Sequence, residues 1–344
     1  MKKFLIYFLG FVFICFILPA ILTDKNKEVL SNIENSKEIA NESNENQIVE
    51  NSTNEKYSYE QYGTIKLLHA DTGTVEDVFI DDYLCNVVSA EMPADYELEA
   101  LKAQAIVART YTIFKVRNKK HENADICDDS NCCQAWISKE DRLARWEESL
   151  RESNWKKIQE AVSSTRGKII TYQNEPINAF FHSNSGGKTE VPVNVWGGTG
   201  YPYLQTVETS GEDTYSQYSS EVVLSQQELL DKLKTKYSDI AIDFNNTEDI
   251  KILEYTDGDR VKTVKFGNHN LSGVEVRTLL SLRSANFSIT QENGNIKFSV
   301  KGYGHGVGMS QTGADSLAKQ GSTADDIIHH FYTDVEIKEV NDIV

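Results

Sequence analysis

Residues 86–120 read "NVVSAEMPADYELEALKAQAIVARTYTIFKVRNKK". In the second part of this stretch Leu98, Leu101, Ala105, Ala108 and Thr112 recur at three- and four-residue spacing, the period of an α-helix. Asp95 is the expected N-cap, Glu97 and Glu99 suit a first turn, and the cations from Lys115 to Lys120 suit a last one. The alanines let neighbours approach from both sides, so this helix is expected at the centre of a domain. Glu91 precedes it as a lone carboxylate among Val87, Val88, Ala90, Met92 and Pro93. Burial there would favour the neutral acid, the form that protonates a leaving oxygen. A nearby helix N-terminus would instead favour the anion. From composition alone, Glu91 could equally cap that helix or pair with a neighbouring Lys or Arg.

The full chain has 344 residues, 40% hydrophobic and 25% charged, with a formal charge of -17. A packed core is expected. So strong a negative charge repels a phosphate backbone, so nucleic acid is excluded as a partner. Residues 4–22, "FLIYFLGFVFICFILPAIL", carry no charge and reach about the minimum length of a membrane-spanning helix. Lys2 and Lys3 before them place residues 1–3 in the cytoplasm and the remainder outside. A cleaved signal peptide has a shorter apolar run, about 7–15 residues, so an uncleaved anchor is expected. Residues 23–61 are rich in Asn, Glu, Ser and Lys and have too few apolar residues to offset ordering entropy; they read as a polar spacer.

The folded unit is expected over residues 62–340. "TIKLLHA" and "GTVEDVFIDDYLCNVV" read as strands followed by a short turn or helix. A charged helix is expected in "EDRLARWEESLRESNWKKIQEAVSST", part of a helical insertion near 137–165. Short strands and turns return from "GKIITYQNEPINAFFH" onward, and "KFSVKGYGHGVGMSQTGADSLAKQG" reads as strand, glycine-rich turn and helix. Strands and helices do not alternate steadily. The class is therefore α+β, with helices and short strands around one groove, and not a doubly wound sheet.

A further cluster is "HENADICDDSNCCQAW". His121, Cys127, Cys132 and Cys133 supply four ligands of the kind that hold tetrahedral zinc, although the spacing is not that of a standard finger. A disulfide from Cys127 to Cys132 or Cys133 is the competing reading outside the membrane. Zinc is favoured, as a structural ion.

The stretch "VVSAEMPADYELEALKAQAIVARTYT" closely resembles the signature of the stage II sporulation protein D family. "FFHSNSGGKTE" and "GYGHGVGMSQTGA" match two further signatures of that family in the same order. The resemblance implies a membrane-anchored lytic transglycosylase that acts on peptidoglycan between mother-cell and forespore membranes during engulfment. It makes Glu91, the Glu of "AEMP", the catalytic acid. Glu91 would protonate the oxygen of the β-1,4 bond between N-acetylmuramic acid and N-acetylglucosamine. The muramyl C6 hydroxyl would close onto its own C1, give its proton to the ionised Glu91, and leave a 1,6-anhydro sugar without consuming water. One carboxylate suffices here, where ordinary glycosidases need two, because the nucleophile is tethered to the substrate.

The resemblance also implies that Lys102, Gln104, Arg109 and Tyr111 line the active-site region, with a structural ion pair and glycan contact equally open for Arg109. No G-x-S-x-G elbow surrounds the serines near His182, so His182 and Ser185 are expected to hydrogen-bond sugar hydroxyls. Gly302, Gly304, Gly306 and Gly308 allow positive φ or close backbone approach; a purely structural turn and a glycan site are equally open there, with His305 and Gln311 the candidate glycan ligands. Some relatives have His where this chain has Cys132, which opens the question of the fourth zinc ligand, and Tyr96-Glu97 stands where relatives often have Trp-Pro. Implied partners are peptidoglycan glycan strands, stripped of peptide by a sporulation amidase, and other engulfment membrane proteins. Two other functions compete: a non-catalytic glycan-binding scaffold that recruits an amidase, and zinc-dependent amide hydrolysis, for which no H-E-x-x-H is present.

Overall fold

The computed structural model describes residues 62–343. The expected anchor at 4–22, with Cys15, and the spacer up to residue 61 lie outside the described residues. Among the described residues no helix is long and apolar enough to cross a membrane.

The chain enters through an antiparallel hairpin of β1 (Thr64–Leu68) and β2 (Val75–Phe79). Helix α1 (Ile80–Glu91) follows without a break. Ile80, Tyr83, Leu84, Val87 and Val88 are all buried on it at helical spacing, so the segment read as a short turn or helix forms more than three turns. Pro93 then forces an extended connection, and α2 runs from Leu98 to Arg117. Every residue of α2 from Ala100 to Ile113 except Lys102 is buried. A helix buried around its whole circumference belongs in a core, and α2 is packed by α1 and, later in the chain, by the helices at 151–163, 311–319 and 324–331 and the strand at 168–172. The expected cap is corrected: Glu97, not Asp95, is the N-cap, and its side chain makes no capping bond. Asp315, 218 residues away, accepts the Glu97 N–H at 2.6 Å instead.

Strand β3 (Ile126–Cys127) pairs parallel to β1. The charged segment expected as a helical insertion is broken into α3 (Lys139–Arg145) and α4 (Arg151–Ser163), because the chain turns extended at Trp146. Helix α4 buries Trp155, Ile158, Ala161 and Val162 against α1 and α2, so it is part of the main core and not an appendage. Strands β4 (Lys168–Tyr172) and β5 (Glu175–Pro176) form a tight hairpin whose turn residues, Gln173 and Asn174, both have positive φ. Strand β6 (Phe181–His182) and the short helix α5 (Pro192–Trp196) complete the first part.

Residues 219–301 build a second hydrophobic core, where the sequence predicts one folded unit over 62–340. Here β7 (Ser219–Ser225), α6 (Gln226–Lys234), β8 (Ile250–Tyr255), β9 (Val261–Phe266), β10 (His269–Ser272), α7 (Gly273–Leu280), β11 (Asn286–Glu292) and β12 (Asn295–Lys301) form two antiparallel three-stranded sheets, ordered β11-β12-β7 and β10-β9-β8. Leu229, Leu233, Phe266, Val276 and Phe298, from the helices and strands, are buried together in this core. The chain then returns to the first core through the glycine-rich segment, β13 (Met309–Ser310), α8 (Gln311–Lys319), α9 (Ala324–Phe331) and β14 (Glu336–Glu339), which pairs with β4. Strand β13 pairs parallel to β6, and single bridges join Asn184 to Tyr303 and Glu190 to Val307. Segments 180–190 and 302–310 therefore lie side by side. The fold is mixed α and β, with helices and short strands, as the sequence predicts.

Candidate active site

Glu91 is the last residue of α1. Its position corrects one expectation: it sits at a helix C-terminus, where the macrodipole disfavours an anion, and α2 begins only at Leu98. The residue keeps a solvent-facing edge while protein atoms enclose most of its carboxyl group. Burial raises its pKa above the usual carboxylate value, and two donors oppose that rise without reversing it. The Ala135 N–H donates to Oε1 at 2.7 Å, and Gln311 Nε2 donates to Oε2 at 3.1 Å. Among the described residues both of its side-chain hydrogen-bond partners are amides and neither is a carboxylate.

Ala135 belongs to the loop that carries the cysteine cluster. His121, Cys127, Cys132 and Cys133 converge, with all four donor atoms within 4.8 Å of one another. His121 Nε2 lies 3.6 Å from the sulfur of Cys132 and 3.6 Å from that of Cys133, and those two sulfurs are 3.9 Å apart. A zinc tetrahedron with Zn–S of about 2.3 Å and Zn–N of about 2.0–2.1 Å has S–S edges of about 3.8 Å and N–S edges of about 3.6 Å. The His121, Cys132 and Cys133 donors therefore lie at the edge lengths of one tetrahedral ion, with Cys127 within 4.8 Å of each of them. All described cysteines are free thiols; Cys85 is buried apart from the cluster. Immediately after Cys133, the Gln134 side chain donates to the Tyr83 hydroxyl (2.9 Å) and to Thr112 (3.0 Å), and the next amide, that of Ala135, is the Glu91 donor. The loop is thus fixed to α1 and α2 at three points, one of them the candidate acid.

The other candidates separate. Gln311 is buried and touches the Glu91 carboxyl directly. Tyr111 is buried near both Glu91 and the cysteines; burial, and then these neighbouring charges, push its phenol pKa up. Gln104 is fully buried with neither amide atom hydrogen-bonded to protein. Arg109 is a structural residue: fully buried, it donates to the carbonyls of Val162 (3.2 Å), Thr165 (2.7 Å) and Lys168 (3.3 Å) and lies 3.8 Å from Asp81. It clamps the C-terminus of α4. Lys102 pairs with Glu99 (2.8 Å), whose other oxygen accepts the Ala324 N–H at the start of α9, so Lys102 braces two helices.

Ser185 is also drawn into structure. Its hydroxyl bonds Glu212 and Thr209 inside a buried network. Glu212, which sequence reading missed, opposes Glu91 in character. It accepts from the hydroxyls of Ser185, Ser310, Thr209 and Thr312 and from the amides of Ser185 and Gly187. Burial disfavours its charge, but these donors win and hold its pKa below the usual range. His182 is buried, with Nδ1 3.1 Å from the Val307 carbonyl and Nε2 without a partner; burial depresses its pKa to about 3. His305 accepts the Val307 N–H on Nδ1 (3.0 Å) and lies among the rings of Trp196 (5.0 Å), His182 (5.7 Å) and Phe180 (6.1 Å). Phe180 in turn lies 6.2 Å from Tyr111. A line of rings thus leads from the neighbourhood of Glu91 to the half-exposed Trp196, which sequence reading also missed.

These features belong to an α+β protein with a shielded, single carboxyl group beside a cysteine-histidine loop. Residues 69–172 match the sequence model of a family described as "Stage II sporulation protein". The chain is 36% identical over 271 residues to stage II sporulation protein D of Bacillus subtilis (strain 168), covering 78% of this chain and 77% of that one. It is 34% identical over 282 residues to the protein of the same name from Bacillus amyloliquefaciens, covering 81% and 79%. A protein named amidase enhancer from Bacillus subtilis (strain 168) is 29% identical over 301 residues, covering 72% of this chain and 39% of that protein. The chain belongs to the stage II sporulation protein D family.

Proposed function

We propose that this protein is a lytic transglycosylase of the sporulation cell wall, anchored by residues 4–22, with Glu91 acting first as acid and then as base. The observation that carries this reading is the setting of Glu91: a carboxyl group whose pKa burial raises, at a helix C-terminus that also disfavours the anion, yet which still has an edge open to solvent. Protonated, it can donate to the glycosidic oxygen between N-acetylmuramic acid and N-acetylglucosamine. Once ionised, it is stabilised by the Ala135 N–H and the Gln311 amide, and it can accept the proton of the muramyl C6 hydroxyl as that oxygen closes on C1. The glycosidic C–O bond breaks, the C6–O–C1 bond forms, and the proton returns to Glu91.

In this reading His121, Cys127, Cys132 and Cys133 hold zinc, which supplies a fixed loop and no open coordination position, because four protein ligands complete the tetrahedron. That closed set argues against metal-assisted amide hydrolysis. The name of the amidase enhancer relative supports an amidase as partner, with peptide-stripped glycan as the shared material.

The test is mass spectrometry of peptide-free glycan strands incubated with the protein and with Glu91→Gln. The wild type is expected to release 1,6-anhydro-muramyl products, and the variant to release them about 10²–10⁴-fold more slowly. Undiminished release by the variant removes Glu91 from the mechanism. Binding of glycan by both proteins with no product from either would favour the scaffold.

A further inference from the structure

A narrow cleft lies where the glycine-rich segment meets the second core. Its rim includes the exposed Asn194 and the half-buried Val274, Arg277 and His305; its floor includes the buried Glu190 and Arg260. Its free volume is about 20 Å³, room for one water or the oxygen end of a carboxylate and not for a sugar ring.

The two guanidinium groups here differ. Arg260 is embedded: it donates to the carbonyls of Lys188 (2.6 Å), Gly258 (2.6 Å) and Ser185 (2.8 Å), and Glu190, Glu212 and Asp259 offset its charge. Only its Nε is left without a partner. Among the described residues nothing forms a hydrogen bond or ion pair with the Arg277 side chain, which lines the cleft, and burial already disfavours its charge. The one carboxylate on the wall does not serve it. Glu190 accepts from the Val191 N–H (2.7 Å), from Asn194 Nδ2 (2.8 Å) and from the Thr256 hydroxyl. A half-buried cation with open donors beside a small cleft calls for an anion, and a guanidinium favours the planar, bidentate carboxylate. The Trp196 indole, 51% exposed and 5.0 Å from His305, offers a flat apolar surface beside the mouth for a pyranose face.

We propose that the cleft between Arg277 and His305 is a carboxylate site, and that it takes the lactyl carboxylate of a muramyl residue from which the peptide has been removed. This rests on the glycan reading above and adds the group that recognises the stripped strand. An amide at that position presents no charge to Arg277, and an attached peptide does not fit the cleft.

The test uses the full-length Glu91→Gln protein, so that bound glycan is not consumed. Calorimetry compares a peptide-free glycan oligomer bearing free lactyl acids with the same oligomer bearing lactyl amides. The acid form is expected to bind about 10–100-fold more tightly, the range of a hydrogen bond to a charged group. Adding Arg277→Gln should bring the acid form down to the affinity of the amide. Equal binding of acid and amide by the Arg277 protein overturns the carboxylate site while leaving the glycan reading intact. A preference that survives Arg277→Gln also overturns it. Failure of both oligomers to bind overturns the glycan reading, and this site with it.

Discussion

Glu91 and Glu212 are both shielded carboxylates, and what surrounds each one sets its chemistry. Glu212 is ringed by hydroxyl and amide donors, which hold it ionised and make it a structural hub. Glu91 has two donors and a helix C-terminus behind it, so burial prevails and the proton stays longer. If the acid role is right, kcat/KM on glycan should fall as pH rises through the raised Glu91 pKa, with its midpoint above the ordinary carboxylate value of about 4.3. A pH–rate profile that has already lost its activity below that value would sink the assignment. Replacing Gln311 with Ala removes one donor to the Glu91 anion, so the same midpoint should move further up.

The glycine-rich segment, the cysteine loop and α2 each act as an element. Gly302, Gly304, Gly306 and Gly308 all have positive φ, and a Cβ on Gly308 would lie 1.9 Å from the Phe180 carbonyl oxygen. The alternation is what lets residues 302–310 lie against 180–190. Gly308→Ala should therefore fail to yield folded protein, as read by solubility and circular dichroism. Arg109 holds three carbonyls at the end of α4. Arg109→Ala should cost about 3 kcal/mol or more in denaturant unfolding, and Lys in its place should not restore the loss, since it lacks the planar fork. For the cysteine loop, a chelator should lower both the melting temperature and glycan cleavage, and added zinc should restore both. Metal analysis that finds no zinc, with both properties unchanged by chelator, would refute the structural ion.

At the scale of the whole molecule, two cores are joined through buried polar groups, and His182 and His305 sit near that junction. Burial, with the Arg260 charge adding to it, lowers the His182 pKa to about 3 against 6.5 in the unfolded chain. The unfolded chain then takes up the proton first. His182 therefore costs nothing above pH 6.5 and removes stability as pH falls from 6.5 toward 3. Between pH 7.5 and 4.5 the loss should be about 2–3 kcal/mol in urea unfolding, opposed in part by Glu91, whose raised pKa works in the other direction. Burial lowers the neighbouring His305 pKa as well and adds a loss of the same sign, so His182→Gln should lessen that slope without removing it; an unchanged slope would show that His182 is not among its sources.

The sequence by itself determined the central helix, the mixed α+β class and the isolation of Glu91, because helical period and local polarity are written in neighbouring residues. It also carried the signal for α1, in the spacing of Ile80, Tyr83, Leu84, Val87 and Val88, though strand-like alternation obscured it. Only the tertiary structure decided the rest. The α2 cap comes from Asp315, one Glu91 donor is a backbone amide with no side-chain signature, and the Glu212 network gathers residues from three distant segments. Such groups meet only after the chain has folded, since hydrogen bonds act over a few ångströms of space and take no account of distance along the chain.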